Sequence, residues 1–486
     1  MSRSSLLLIL VFCLALIGCE ESTNFRAPAD RGVKFEELNQ SETPRELAVG
    51  VVWSAGDGKF VEGARLAVEE INAEKEGKEF RYRLVVVNEN KYSTLSGFDR
   101  LSEGKYRNAS QRLAKRLTQE FSLDPDIVAV IGHSDKYNTA LPAALSYQDN
   151  GILFFSSAST DPQMAHLDSP LTFQLSSPDN WLAEQMADYI ISRNFKNMLV
   201  LFSRDRKSAN FVEFLQKSIH RSSTSVVIHQ QSVPNRYLRG GDWSDFDTTS
   251  IVASLTKAAN DKKIDSVLIV SDVAIAASII KGSKDFGFKL PFIVMPATAT
   301  ERFISDVGEL GIGTVMPTSI DETTHFFRQF SKRFVKYTGG AYPDASAALG
   351  YDSVYLLNEA MEKANSSKPL HVSLALRYTM PPWTGASGIF GFLENGVNKH
   401  RKYFFNRLVR TDSGELQFRT EDEAKKGGEY MPLLGIVALY VLTCWIVGLM
   451  GRKKILGFWG LFLTSIFLTP VIGLLLLLTS KKKRGY

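Results

Sequence analysis

Cysteine is nearly absent from this chain, and its few positions lie near the two ends. The sequence holds Cys13, Cys19 and Cys444, and residues 20–430 contain none. Within that stretch no disulfide can form and no thiolate can act as a nucleophile. A domain of this length can bury an apolar core large enough to be stable without such cross-links.

Catalytic and metal-binding patterns are also missing. No Gly-x-Ser-x-Gly or Walker sequence occurs, and the seven histidines are scattered singly, without metal-site spacing. Ser278–Lys281 (SIIK) fits a Ser-x-x-Lys nucleophile pattern, but its partner motifs are absent and it lies in an apolar predicted helix. The formal net charge is only +5, which does not favour nucleic acid as a partner. We therefore expect no enzyme, no cofactor and no nucleic-acid binding.

The first 19 residues have the pattern of an export signal. Arg3 precedes the apolar run Leu6–Leu16, which ends in Leu16-Ile17-Gly18-Cys19. This order resembles the lipobox of bacterial lipoproteins, which implies that Cys19 is lipidated and becomes the mature N-terminus. An ordinary signal peptide or an uncleaved anchor is the alternative. Residues 20–45 are polar and aperiodic and are predicted to form a tether.

Two long apolar stretches lie near the C-terminus. Residues 432–450 and 455–479 each reach the about 20 residues that a membrane-spanning helix needs, so both are predicted to be transmembrane helices. A buried core helix is the alternative for either one. Gly451–Lys454 and Lys481–Arg484 are basic, and two crossings would put them on opposite sides of the membrane. The positive-inside rule therefore does not decide the orientation of the tail.

Between the two ends, apolar runs and amphipathic segments alternate. Leu47–Trp53 and Ile127–Ile131 are apolar runs typical of strands buried on both faces, and Phe60–Asn72 has apolar residues at helical spacing. The alternation restarts after the turn-rich segment Pro162–Pro178, which is predicted to be a crossover. This pattern predicts an α/β fold with two lobes, each built on a parallel sheet. The residues after Pro296 are expected to complete these lobes.

Four stretches, taken in order, resemble the type I periplasmic binding proteins, the family that binds branched-chain amino acids. They are Gly58–Asn72, Val128–Gln163, Phe330–Met361 and Thr384–Gly396 (TGASGIFGFLENG). The resemblance covers residues of about 46–412 and implies two Rossmann-like lobes, joined by a three-crossover hinge, that close on a small ligand. The implied boundaries are residues 46–165 with 297–380 for lobe 1, and 166–296 with 381–412 for lobe 2.

Polar residues follow two predicted strands of lobe 1, at the edge where open α/β sheets bind ligands. Lys136, Tyr137 and Asn138 stand at a predicted helix start, and Ser157, Ala158 and Thr160 follow the next strand. Backbone N–H groups and hydroxyls in such places form an anion site. The family resemblance implies that the Lys136/Tyr137, Ala158 and Thr160 positions hold the carboxylate and ammonium of the ligand. Lys136 departs from the small hydroxyl residue that is usual there.

Lobe 2 departs further from the family pattern. The position of the usual ligand-binding aromatic falls at Ser208-Ala209, the next contact at Ser271-Asp272, and the usual acidic residue is replaced near Ala297-Thr298. Asp272 could pair with an ammonium group or only cap a helix. In lobe 1, Lys136 could bind an acid or be solvated, and Ser157 and Thr160 could merely cap a turn.

These observations predict an extracytoplasmic solute-binding protein of the bacterial cell envelope, anchored to the membrane with its binding domain outside the cytoplasm. The expected ligand is a small polar molecule, amino-acid-like or amide-like. The expected partner is an ABC permease or another membrane protein. A membrane-tethered ligand sensor or interaction module with the same fold is the alternative.

Overall fold

The computed structural model of the protein describes residues 31–38, 45–55, 58–74, 80–93, 103–134, 138–222, 225–233, 248–285, 287–296, 300–411, 414–420 and 440–480. Its strands are β1 (Arg45–Trp53), β2 (Phe80–Asn88), β3 (Ile127–Gly132), β4 (Leu153–Ser156), β5 (Thr172–Gln174), β6 (Asn197–Ser203), β7 (Val227–Val233), β8 (Ser266–Val270), β9 (Phe292–Val294), β10 (Val315–Thr318), β11 (Trp383–Gly385), β12 (Gly388–Phe390), β13 (Phe404–Arg410) and β14 (Leu416–Thr420).

From β1 to β10 most neighbouring strands in the chain are separated by helices, as the alternating pattern predicts. They are Phe35–Leu38, Phe60–Glu74, Glu89–Ser93, Glu103–Ser122, Ala140–Asp149, Asp179–Ser192, Arg206–Arg221, Thr248–Lys262, Val273–Asp285, Thr300–Val307, His325–Thr338, Ala345–Ala364, Pro369–Leu374, Gly457–Leu468 and Pro470–Thr479. The chain divides into two compact units, residues 1–417 and residues 418–486.

The first sheet has five strands in the order β2-β1-β3-β4-β5, and every neighbouring pair is parallel. All residues of β3 and β4 are buried, because apolar layers cover both faces of the sheet. One layer contains helix Phe60–Glu74 and the late helices His325–Thr338 and Ala345–Ala364. The other layer contains helices Glu103–Ser122 and Ala140–Asp149.

The second sheet has the order β14-β13-β10-β9-β8-β6-β7. The pairs from β7 to β10 are parallel, whereas β13 runs antiparallel to β10. The short hairpin β11–β12 pairs antiparallel, and Phe390 and Phe392 join the core of the first sheet.

The chain passes between the two sheets three times. The passages lie after β5, after β10 and before β13. The second and third passages come later in the chain than the predicted boundaries at residues 296/297 and 380/381. The reason is that β10 pairs within the second sheet, while the β11–β12 hairpin packs on the core of the first. Strand β5 lies inside the predicted crossover Pro162–Pro178 and extends the first sheet.

The prediction of two transmembrane helices is not supported. No helix in the described part of the chain is long and apolar enough to cross a membrane. The predicted span 455–479 is broken at Thr469, which has a φ of 97°, so helices Gly457–Leu468 and Pro470–Thr479 contain only 12 and 10 residues. Pro470 causes the break, because its ring lacks the N–H that would continue the first helix. Of the span 432–450, residues 440–450 are helical and the remainder lies outside the described residues.

Candidate functional site

The polar residues of the first lobe gather at one edge of its sheet. Since β1 to β5 are parallel, the residues that follow them all emerge at the carboxyl ends of the strands. The segments after β3 and β4 lie side by side, because the Ser157 N–H donates to the Gly132 carbonyl at 2.9 Å. The edge of a parallel α/β sheet at which these segments meet is the usual place for a ligand.

A buried carboxylate holds both ends of the loop after β3. Oε2 of Glu89 accepts hydrogen bonds from Ser54 Oγ at 3.0 Å and Ser134 Oγ at 2.5 Å, and its Oε1 accepts from Thr139 Oγ1 at 2.6 Å. Ser134 and Thr139 flank residues 135–137, which lie outside the described residues. Glu89 therefore fixes the two ends of the segment in which Lys136 and Tyr137 were predicted to bind ligand.

His133 completes this cluster. Thr139 Oγ1 donates its proton to Glu89, so it accepts from His133 Nδ1, which lies 2.7 Å away. The other ring nitrogen lies 2.9 Å from the Tyr147 hydroxyl. His133 is fully buried, which fits a structural histidine rather than a ligand-binding one.

The cluster keeps Glu89 ionised despite its burial. Burial raises the pKa of a carboxyl group, but the His133 ring, whose Nδ1 lies 3.4 Å from Glu89 Oε1, and the hydrogen bonds from Ser134 and Thr139 outweigh it and hold the pKa of Glu89 below its ordinary value. For Tyr147 no such compensation exists, and burial raises the pKa of its hydroxyl well above the ordinary value. Glu89 is not among the residues that the sequence predicts for the site; its only signal is an acidic residue directly after β2.

The segment after β4 lies along the first passage between the lobes. Leu175 N donates to the Ser156 carbonyl at 2.9 Å, Ser176 Oγ to the Ser157 carbonyl at 2.5 Å, and Asp179 N to the Thr160 carbonyl at 2.8 Å. The predicted binding segment Ser157–Thr160 is thus held directly against the first passage between the lobes.

The two hydroxyl residues predicted in this segment have different surroundings. The Ser157 hydroxyl accepts from Gly132 N at 3.1 Å and donates to the Phe155 carbonyl, so it stabilises the lobe. The Thr160 Oγ1 atom is buried and has no hydrogen-bond partner among the described residues. Such a group costs about 1–3 kcal/mol of desolvation, which a ligand could recover. Between Ser157 and Thr160 in the chain, Ala158 is half-buried and packs on the core of the first sheet.

Two further unpartnered polar atoms lie in the first passage. Ser177 Oγ and Asn180 Oδ1 are buried and, within the described residues, have no hydrogen-bond partner. Both residues flank Asp179, which is bonded to Thr160. Ser177 lies within Pro162–Pro178, which is predicted only as connecting chain, and Asn180 lies just after that segment in the first turn of helix Asp179–Ser192, so neither is predicted for the site.

The predicted residues of the second lobe lie at helix starts, where Asp272 caps one helix and Ser208 donates to the cap of another. Ser208 lies in the first turn of helix Arg206–Arg221, where its N–H and hydroxyl both donate to the Asp205 carboxylate, at 2.8 and 3.0 Å. Asp272 Oδ1 accepts from Ala274 N and Ile275 N, each at 3.0 Å. These bonds realise the capping role that was left open for Asp272. Ser203 Oγ donates a hydrogen bond to Ser271 Oγ at 2.7 Å.

In the first lobe, the start of helix Ala140–Asp149 has no side-chain capping bond of this kind. Its N-cap residue Thr139 makes no capping bond, because its hydroxyl is used for Glu89, and no acidic residue lies in the first turn. Asn138, which precedes it, is exposed and has a φ of 50°. Free N–H groups at a helix start attract negative charge. The first turn offers the N–H groups of Ala140 and Leu141 to an anionic or carbonyl group, because Pro142 has no N–H and the Glu89 carboxylate contacts only the Thr139 hydroxyl at this helix start. In the second lobe, the carboxylates of Asp205 and Asp272 accept directly from the N–H groups of the helix starts.

A second buried carboxylate lies where two passages approach each other. Asp352 accepts from Ala386 N at 2.9 Å and from Ser387 N at 2.5 Å. Arg401 donates to the Ser387 carbonyl at 2.6 Å and to Ser319 Oγ at 2.9 Å, and so joins the second and third passages. Burial raises the pKa of Asp352 to about 6 despite these hydrogen bonds.

Lys136, Tyr137 and Cys19 lie outside the described residues, as do Ala297 and Thr298. In the part of the chain that the structure describes, no group of three or more histidine, cysteine or acidic residues could hold a metal ion.

Comparison with known proteins identifies the family. The family model described as periplasmic binding protein matches residues 110–414, which is well over half of the chain. This chain belongs to the periplasmic binding protein family. Its proteins are substrate-binding proteins and not enzymes, so the prediction of a non-enzymatic solute-binding protein of this family is confirmed.

The relatives of this family member are distant in sequence. The Leu/Ile/Val-binding protein homolog 1 of Brucella suis biovar 1 (strain 1330) is 22% identical over 296 residues, which are 60% of this chain and 74% of that protein. The ABC transporter substrate-binding protein of Desulfitobacterium hafniense, solved in complex with Leu, is 21% identical with a TM-score of 0.61, covering 77% of this chain and 100% of that one.

A third similar protein has a different ligand. The solute-binding protein of an ABC transporter from R. palustris, solved in complex with benzoate, has a TM-score of 0.58 at 16% identity, covering 77% of this chain and 96% of that one. These similarities establish the predicted α/β fold of type I periplasmic binding proteins.

Proposed function

We propose that the protein is an extracytoplasmic solute-binding protein that captures a small carboxylate or amide ligand, amino-acid-like or amide-like, between its two lobes. The buried Thr160 hydroxyl, which has no hydrogen-bond partner among the described residues, is the observation that supports this most directly. The uncapped start of helix Ala140–Asp149 adds N–H donors at the adjacent strand end. Leucine and benzoate, which are bound to two of the similar structures, share the carboxylate that such donors suit.

The proposed site includes Lys136, Tyr137 and Asn138 of the loop after β3, with Ser157, Ala158 and Thr160 after β4. Ser177 and Asn180 extend it along the first passage. Ser208 and Asp272 shape the opposite wall by holding helix starts. An ammonium group would face Asp205 and Asp272, the carboxylates of that wall.

The proposed mechanism is closure about the three passages. A ligand shifts the lobes toward the closed state only if it contacts that state better than the open one. Because Thr160 is bonded to Asp179 in the first passage, a ligand that binds Thr160 also acts on the hinge. An ABC permease is the proposed partner, which recognises the closed form.

The proposed location is the bacterial cell envelope, with the lobes outside the cytoplasm and lipid attached at Cys19. A ligand sensor with the same fold is the second candidate. It is favoured by the unit of residues 418–486, which lies beyond the family match. Co-purification with a permease supports transport, and co-purification with a signalling membrane protein supports sensing.

The test is a thermal-shift screen of the detergent-solubilised full chain against amino acids, amides, urea and small carboxylates such as benzoate. At 100 times its Kd, a ligand that binds only the folded protein stabilises it by about 2.7 kcal/mol, which gives a clear rise in Tm. Calorimetry then provides the affinity. If no compound of these classes raises Tm, the proposed ligand class is wrong.

A further inference from the structure

Residues 440–480 form a small helical unit in which the last two helices fold back on each other. Lys454 Nζ, at the start of helix Gly457–Leu468, donates to the Ser480 carbonyl at 2.7 Å, just after the end of helix Pro470–Thr479. Near the turn, Gly473 lies so close to Ser465 that a Cβ atom on it would be 1.9 Å from the Ser465 Oγ. The two helices therefore form a hairpin whose two ends lie together.

The helix of residues 440–450 packs on this hairpin, and the interior is small. Val447, Leu461 and Leu477 form its buried cluster. Most large apolar side chains point outward instead: Phe467 is 80% exposed, Leu478 72% and Trp459 68%. In water such a surface would be unfavourable by about 25 cal/mol for every Å² left uncovered.

Several polar groups of the unit form hydrogen bonds within it. Pro470 has no N–H to donate to the Ile466 carbonyl, and Tyr440 supplies the missing bond, with its hydroxyl 3.0 Å from that oxygen. The hydroxyls of Thr464, Ser465 and Thr479 donate to carbonyls three or four residues earlier. Apolar exteriors with internally paired backbone groups are what a hydrocarbon environment requires.

Charge distinguishes the two ends of the hairpin. Residues 431–486 contain no aspartate or glutamate. Arg452 and Lys453 are exposed beside Lys454, which reaches Ser480, and Lys481–Arg484 follow directly in the sequence. The turn at the other end carries Phe467, Thr469 and Pro470 and no charge. One end thus suits anionic phosphate headgroups and the other suits lipid chains.

We propose that residues 455–479 form a re-entrant hairpin that enters a phospholipid bilayer from its basic end and returns to the same side. Its helices of 12 and 10 residues are about 18 and 15 Å long, roughly half of the about 30 Å of hydrocarbon in a bilayer. Arg452–Lys454 and Lys481–Arg484 then lie on one side of the membrane. This arrangement removes the conflict in charge that two complete crossings create.

The experiment measures whether these two basic segments share a side. A full-length chain with Lys453→Cys and Lys483→Cys, and with Cys13, Cys19 and Cys444 replaced by alanine, is reconstituted into phosphatidylcholine–phosphatidylglycerol vesicles. The vesicles are floated and treated with a membrane-impermeant polyethylene-glycol maleimide that adds mass at each labelled cysteine.

We expect molecules with either two labels or none, whatever the orientation of each molecule in the vesicle. After detergent treatment, all molecules should carry two labels, which controls for incomplete reaction. A majority of singly labelled molecules in intact vesicles would mean that residues 455–479 cross the membrane, and the proposal would be wrong. Failure to float would equally overturn it and point to a protein partner for the apolar surface. Neither result bears on ligand capture by the lobes.

Discussion

At the residue scale, Thr160 and Ser157 show how two hydroxyl groups three positions apart acquire different roles. Ser157 is bonded to Gly132 and Phe155 within the lobe, and Thr160 Oγ1 is buried with no hydrogen-bond partner in the described residues. The sequence predicts the same ligand-binding segment for both. Sequence gives the residue type, but the direction of the side chain follows from the path of the chain after β4.

Thr160→Val should weaken binding of the best ligand from the screen about 10- to 100-fold, because one hydrogen bond to a charged group is worth about 1.5–3 kcal/mol. The ligand-free protein should keep or raise its Tm, because the substitution removes a buried hydroxyl without a partner. Calorimetry and thermal unfolding measure the two effects.

The matched control is Thr118→Val. The Thr118 hydroxyl is bonded to the Lys115 carbonyl at 3.0 Å in a helix of the first lobe. Its loss should lower stability by about 0.5–1.5 kcal/mol and leave Kd unchanged. Equal affinities for Thr160→Val and the unmodified protein would remove Thr160 from the site.

Glu89→Gln should lower the free energy of unfolding at pH 7 by about 1–3 kcal/mol, because an amide nitrogen then faces hydroxyl donors in a buried cluster. The folded-state pKa of Glu89 lies below its ordinary value of 4.5, so the contribution of the carboxylate is complete above pH 4.5 and is lost as pH falls further. The difference from the unmodified protein should therefore narrow in acid.

Urea unfolding at neutral and acidic pH measures this difference. Glu62→Gln, at an exposed position of helix Phe60–Glu74, serves as the control and should change stability by less than about 0.5 kcal/mol. A difference between Glu89→Gln and the unmodified protein that is independent of pH would show that Glu89 is not ionised in the folded state.

At the element scale, helices Phe60–Glu74 and Ala345–Ala364 pack through glycines although they lie almost 300 residues apart. A Cβ atom on Gly350 would lie 2.1 Å from the Phe60 carbonyl oxygen, and one on Gly63 would lie 2.0 Å from that of Ala347. Each helix was predictable from its periodicity. The contact between them was not, because a local sequence pattern does not indicate which distant helix it will pack against.

Gly350→Ala should destabilise the protein by about 1–3 kcal/mol, since the two backbones must separate to admit a methyl group. Lys363→Ala, at an exposed position of the same helix, should be nearly neutral. Denaturant unfolding compares the two variants. An unchanged denaturation midpoint for Gly350→Ala would mean that the two helices can accommodate a methyl group at this contact.

Short elements were the hardest to predict. Strand β5 has only three residues and lies within a turn-rich segment just after Pro170, so only its pairing with β4 identifies it as a strand. The β11–β12 hairpin likewise depends on tertiary packing, because Phe390 and Phe392 are buried in the core of the first sheet. Long, fully buried strands such as β3 were predictable because burial on both faces demands a continuous apolar run.

At the scale of the whole molecule, the two sheets are assembled from distant parts of the chain. The first is covered by helices that follow residue 324, and the second is completed by β13 after residue 403. Arg401 joins two of the passages through Ser387 and Ser319. Any movement of the lobes must accommodate this buried contact, which local patterns do not reveal.

The sequence by itself determined the α/β class, the two-lobe organisation and the family, because strand burial and helix periodicity are local and the family stretches occur in order. It also determined the apolar character of the C-terminal segments. The tertiary structure decided which hydroxyl is left without a partner, that Asp272 caps a helix and that residues 455–479 fold into a hairpin. These outcomes depend on side-chain direction and on contacts between distant residues, which composition and spacing do not encode.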